Sequence, residues 1–348
     1  MVTEVDRRCD TTTATDTAVP TGPEVATSAD ATAPETATET ATDARESTAA
    51  DSAPTADTAP AETTPRPGPT LTFEIEPITV QPGKERQVCR TVNIPGDVPF
   101  DVVRFTADMA GRSHHFNVYK VIDGKALDPV TGGDGVTHDC APASEQLAGD
   151  AAYIFGSATP NRVMETPPGV AFHLEAGQRL ILEYHAINYT QAPEQAGVKI
   201  HLEGASPDTI IAHHAEIFWF ANWGFLLPPE TEISDTAQCT IPYDVEIFGL
   251  MSHFHELGTH FLIETIRGDG ATNVYEDDDY AHPKYQAFDP PLALDAGDAI
   301  QWTCTWFNWR TDTVMPNRTS KDEMCMVFAA GYPRAGLSAE PAQCNVVF

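Results

Sequence analysis

The first 70 residues contain no Ile, Leu, Phe, Trp or Tyr. A stretch built instead from Thr, Ala, Pro, Asp and Glu cannot bury enough apolar surface to offset the entropy of ordering, so residues 1–70 are expected to be a disordered acidic leader. Basic residues are scarce too: 20 Lys and Arg face 51 Asp and Glu, for a formal net charge of −31. The leader holds 13 acids against 4 bases, which leaves −22 on residues 71–348. Nucleic acid and anionic membranes are thereby excluded as expected partners, because neutralising phosphates needs clustered Lys and Arg. No run of about 20 apolar residues is present to cross a bilayer as a helix. The opening MVTEVDRRCD has no apolar core of a signal peptide.

The cysteines lack any CxxC spacing, which disfavours a zinc ribbon. Cys9 lies in the leader. The other six, Cys89, Cys140, Cys239, Cys304, Cys325 and Cys344, are an even set expected to form disulfides, and so to place the chain in an oxidising compartment, extracellular, periplasmic or at the cell surface. With no export signal in the opening residues, one is expected upstream of this start.

Sustained 3.6-residue periodicity is also missing after residue 70. Short alternating apolar runs take its place, among them LTFEIEPITV (71–80), VVRFTADM (102–109), FNVYKVI (116–122), RLILEYHAIN (179–188) and VKIHLE (198–203). A second series follows: EIFWFANW (216–223), VEIFGLMSHFH (245–255), THFLIETI (259–266), AIQWTCTWF (299–307) and MCMVFAAGY (324–332). Alternation with period two reads as strand. The fold class is therefore all-β, and the length predicts two β-sandwich domains, residues 71–205 and 206–348.

Residues 252–260, SHFHELGTH, bring in the chemistry. The HExxH zinc-protease helix needs histidines four apart, and here His260 follows His255 by five, which turns the two imidazoles about 140° apart around a helix. On a strand, His253 and His255 would share one face. His114 and His115, being adjacent, can bind one ion only near a bulge or strand end. With His185 they make a credible triad of ligands. Met324, paired with His253 and His255, makes a mixed imidazole and thioether set that favours copper over zinc.

In order along the chain, VCRTVNIP, VVRF and His114-His115, then EYH ending at His185, FGLMSHFHELG (248–258), and DEMC (322–325) followed by Tyr332-Pro333 resemble the copper type II, ascorbate-dependent monooxygenases. This is the family of peptidylglycine α-hydroxylating monooxygenase and dopamine β-monooxygenase. The resemblance implies two jelly-roll sandwiches carrying two copper ions. One ion, storing electrons, would sit on His114, His115 and His185. The other, binding O2, would sit on the catalytic set His253, His255 and Met324. It further implies ascorbate as reductant, and the pairings Cys89–Cys140, Cys239–Cys344 and Cys304–Cys325. Phe116 and Val121 stand where the family usually has a methionine and a further cysteine, and Phe254 stands where it usually has threonine. At the positions that bind a substrate carboxylate in the peptide-processing members this chain has Met251, Met326 and Phe328. None of the three can pair with a carboxylate, so the expected substrate is a small apolar or aromatic molecule. The alternative is a secreted copper-binding protein without turnover.

Overall fold

Apolar and β-branched residues at every second position make strands throughout the ordered chain, and no helix occurs among the described residues. The computed structural model describes residues 67–111, 113–122, 135–141, 150–317 and 321–333, together with the backbone of 344–345. Residues 1–66 of the expected leader, with Cys9, lie outside the described residues, as does the side chain of Cys344.

The N-terminal half contains β1 (Thr70–Val80), β2 (Glu85–Asn93), β3 (Phe100–Ala110), β4 (Ser113–Val121), β5 (His138–Asp139), β6 (Ala151–Ser157), β7 (Arg162–Glu165), β8 (Val170–Leu174), β9 (Arg179–Ile187), β10 (Glu194–Gly204) and β11 (His213–His214). The C-terminal half contains β12 (Glu216–Ala221), β13 (Thr231–Thr240), β14 (Val245–His253), β15 (Gly258–Arg267), β16 (Gly270–Asp277), β17 (Tyr285–Leu294), β18 (Ala299–Asn308), β19 (Met326–Tyr332) and β20 (Cys344–Asn345).

Four sheets result. In the first half the orders are β1-β10-β3-β8-β11, with β7 also on β3, and β5-β2-β9-β4-β6. In the second they are β17-β14-β19-β12-β20 and β13-β18-β15-β16. One core gathers Val88, Val118, Leu182 and Tyr184 against Phe105, Phe172, Ile200 and Leu202, side chains from both N-terminal sheets. A second gathers Ile247, Leu250, Val327 and Ala329 against Phe261, Ile263, Trp302 and Trp306, from both C-terminal sheets. Each half is thus a pair of sheets closing on its own core, as alternating inward residues require. The first core also takes in Phe248 and Ala330, with Tyr285 and Ile217 packed on it, so it continues into the C-terminal half.

The strongly alternating segments coincide with strands to within a few residues. The strands not anticipated include the short apolar β6, AAYIFGS, and β8, VAFHL, as well as polar or proline-bearing ones. β13, TEISDTAQCT, presents Glu232, Ser234, Thr236, Gln238 and Thr240 on its exposed face, and β17 carries Pro290-Pro291 within YQAFDPPLAL. Both lie at a sheet margin, where a missing ladder donor is tolerated. Two of the implied disulfides are formed, Cys89–Cys140 and Cys304–Cys325. Cys239 is also disulfide-bonded. Asn188, in an Asn-Tyr-Thr glycosylation pattern, is fully buried and donates to the carbonyls of Val80 and Ala192.

Candidate metal centres

The first cluster is made by two neighbouring strands. β4 pairs antiparallel with β9, with His115 directly opposite His185, and the register shifts between Ser113 and His115. That irregularity is what lets His114 turn to the same side as His115, which a regular strand forbids. The three imidazoles lie 5.0–5.3 Å apart by ring centroid, inclined to one another by 54–80°. One nitrogen from each falls within 4.8 Å of the others.

Hydrogen bonding specifies which nitrogen is free. His185 Nε2 lies 2.9 Å from Glu85 Oε2, while its Nδ1 is buried without a partner. An Nε2–H held by a carboxylate leaves the Nδ1 lone pair for a metal, the arrangement that ordinarily fixes a ligand histidine. Burial, and then repulsion from His115 and His185, pushes His114 down to about 3. Burial lowers His185 as well, with Glu85 acting the other way. Neutral imidazoles are the form that binds metal.

The second cluster departs from the expected geometry. β14 ends at His253, and His255 lies beyond it in the turn to β15, where the Gly258 amide donates to the His255 carbonyl. The two residues therefore do not share a strand face as anticipated. Their rings meet edge to face, 5.1 Å apart. The cause is Glu323, a fully buried carboxylate that sequence reasoning passed over. Its two oxygens accept from the amides of His255 at 2.9 Å and Leu257 at 2.8 Å, and from the Trp306 indole at 3.2 Å. Burial raises its carboxyl to about 7, and these donors pull it back. His255 Nδ1 lies 2.8 Å from the Asp322 carbonyl; as an Nδ1–H donor it keeps Nε2 for a metal. His253 is pushed down to about 3 by burial, then by His255, His115 and His114. The two clusters are thus within electrostatic reach of each other.

Met324 is buried in a small group with Ala221 and Met326, against Trp219, Trp223 and Phe328. Three inward residues of β18 hold its segment: Trp302 donates to the Cys325 carbonyl, Cys304 is bonded to Cys325, and Trp306 donates to Glu323. Positions 302, 304 and 306 share one strand face, so the alternation in WTCTW was the available signal for this brace. His253 lies opposite Met326, and Met251 opposite Phe328, on paired β14 and β19. Met251 and Phe328 line one small cavity that also includes Tyr153, Phe155, Arg162 and Tyr285. Met326 instead packs beside Met324.

Other histidines have different partners. His260 Nδ1 lies 2.6 Å from Asp278, and Glu256 pairs with Arg310. Asp101, His173 and His214 also converge. His173, however, has one nitrogen 2.7 Å from Asp101 and the other 3.3 Å from Glu175, and it stacks on His214 with only 21° between ring planes. Nearly parallel stacked rings do not aim their nitrogens at a common ion.

Residues 221–345 match the family described as copper type II ascorbate-dependent monooxygenase, C-terminal domain. No curated protein sequence matches the chain. Among solved structures, PNGase F, a glycosylasparaginase from Flavobacterium meningosepticum, aligns over 76% of this chain and 96% of its own at 10% identity and a TM-score of 0.34. PNGF-II aligns over 75% and 65% at 10% identity and a TM-score of 0.29. Likenesses that weak decide nothing about fold or activity. The family match spans His253, His255, Glu323 and Met324, so residues 221–345 are similar to the C-terminal domain of the copper type II, ascorbate-dependent monooxygenases.

Proposed function

We propose that the protein is a two-copper monooxygenase of two jelly-roll domains. It inserts one oxygen atom of O2 into a C–H bond of a small apolar or aromatic substrate, while an external reductant such as ascorbate supplies the two electrons that reduce the other atom to water. His114, His115 and His185 hold the electron-storing ion, and His253, His255 and Met324 hold the ion at which the substrate reacts. Copper bound there supplies the one-electron storage and the oxygen chemistry. The residues supply everything else. Glu85 and the Asp322 carbonyl orient the two histidines whose rings would otherwise rotate. Glu323 and the Cys304–Cys325 bond fix the spacing of His255 from the Met324 segment. The apolar surroundings of Met324 exclude water from that side.

The observation that carries this reading is the buried, unpartnered Nδ1 of His185, in a cluster with two further imidazoles while its Nε2 is held by Glu85. The donor sets fit the ions: three nitrogens for one, and two nitrogens with a thioether, which suits Cu(I), for the other. The disulfides are consistent with an extracellular or cell-surface setting.

The test is a copper-loaded protein supplied with ascorbate and a panel of aromatic and aliphatic substrates. Oxygen consumption coupled to a hydroxylated product is expected, and Met324→Leu should abolish product while two imidazole-bound sites still take copper. A loaded wild type that oxidises no substrate in the panel would leave copper binding as its role.

A further inference from the structure

Arg162 opens β7 and has no carboxylate partner among the described residues. Its Nη1–H donates to the sulfur of Met251 at 2.8 Å, and its guanidinium lies over the rings of Tyr285, 4.4 Å from the centroid, and Phe155, 5.7 Å away. Nε is buried without any partner, and so is the hydroxyl of Tyr285. Burial lowers the pKa of Arg162, and the titratable groups that act on it are the phenols of Tyr153, Tyr285 and Tyr275, not acids. A guanidinium stays protonated at neutral pH all the same. Its charge therefore sits among aromatic rings and a thioether with no described side chain to neutralise it, which is costly unless something else does.

The surroundings are built to leave space. A Cβ at Gly249 would fall 2.0 Å from the Tyr285 hydroxyl, and one at Gly156 would fall 1.8 Å from the Tyr153 hydroxyl. Two glycines, one from each half of the chain, thus admit two phenols to the same cavity that Arg162 lines. Burial pushes both phenols up to about 12, so both are neutral donors at pH 7. The remaining walls, Phe155, Met164 and Phe328, are apolar. The space between them holds roughly one water-sized body.

We infer that Arg162, Tyr285 and Tyr153 form a binding site for a single small monovalent anion, of halide size, between β6 and β7 of the N-terminal half and β14, β17 and β19 of the C-terminal half. An acceptor-only, negatively charged occupant satisfies the orphaned Nε–H and O–H together and neutralises the guanidinium. Room for roughly one water-sized body suits a monatomic anion better than the acid end of a larger molecule. The site contains none of the proposed copper ligands.

The experiment uses the full copper-loaded chain. Thermal unfolding in chloride is compared with gluconate at equal ionic strength, and crystals grown in bromide are examined for anomalous scattering. Chloride is expected to raise Tm saturably, by about 2 °C, as a ligand of the native state does. A bromide peak is expected between Arg162 and Tyr285. Arg162→Met, which leaves every proposed copper ligand in place, should lose both effects. If that variant does not fold, Tyr285→Phe, which removes one donor, should raise the half-effect concentration of chloride by about tenfold. Equal Tm in chloride and gluconate, water at the bromide position, or an unchanged chloride response in either variant would overturn the site. So would stabilisation by benzoate as strong as that by chloride, since it would mean that a larger acid enters.

Discussion

The two histidine clusters are assembled in opposite ways. His114, His115 and His185 come from adjacent strands, and the pairing of β4 with β9 is itself the scaffold; one irregularity in its register turns His114 to the shared side. His253, His255 and Met324 come from a strand end, a turn and the segment before β19, and none of these is held by ladder hydrogen bonds alone. They rely on a buried carboxylate, a disulfide and two indoles reaching from the opposite sheet. The difference teaches that the first cluster should be as stable as its sheet, while the second can be dismantled locally.

That contrast can be broken most sharply at Glu323. Glu323→Ala strands the amides of His255 and Leu257 and the Trp306 indole without an acceptor. A loss of about 3–5 kcal/mol in urea unfolding is expected, together with loss of copper at the Met324 site. Equal loss of copper from both sites would mean that the carboxylate supports the whole protein and not one cluster. Next in size is the covalent brace. The Cys304→Ala, Cys325→Ala double variant should lose about 3 kcal/mol, since the bond closes a loop of 21 residues. Copper titration should find only the Met324 site weakened.

The first cluster has an outer support too, but an exposed one. Glu85→Ala removes the carboxylate that holds His185, and it should weaken copper at the three-histidine site by about tenfold with little change in unfolding. An affinity unaltered in isothermal titration would mean that strand register alone orients the ring. The smallest effect is on pH dependence without metal. His114 and His253, lowered to about 3, contribute stability that is present above their unfolded pKa of 6.5 and lost as pH falls toward 3. Glu323, raised to about 7 from 4.5, works in the other direction, its contribution being lost as pH rises through 7. Glu323→Gln removes the opposing part, so its stability should climb more steeply than wild type between pH 4.5 and 6.5.

Much of this was legible beforehand, for identifiable reasons. Adjacent histidines in GRSHHF required a bulge to act together, and the register shift between Ser113 and His115 supplies one. Alternation in QWTCTWF announced a strand with one buried face, and Trp302, Cys304 and Trp306 are all fully buried on it. What escaped notice is equally specific. His255 reads as a continuation of the strand through His253 because FGLMSHFH keeps its alternation past the point where pairing stops. Glu323 looks like one acid among 51. Nothing local marks it as buried, because its three partners lie 17 to 68 residues away. Arg162 is hidden for the same reason: what distinguishes it is the absence of a carboxylate partner among the described residues.

The sequence alone determined the strand content and the identity of the candidate ligands, because both depend on local alternation and on the chemistry of single side chains. It also carried the ordered motifs that resemble the copper family. The tertiary structure alone decided which nitrogen of His185 and of His255 is left free, where β14 stops, and which charges are buried. Those depend on register, on hydrogen bonds across the sandwich and on desolvation, and each is a property of residues far apart in the chain that meet only when the sheets close.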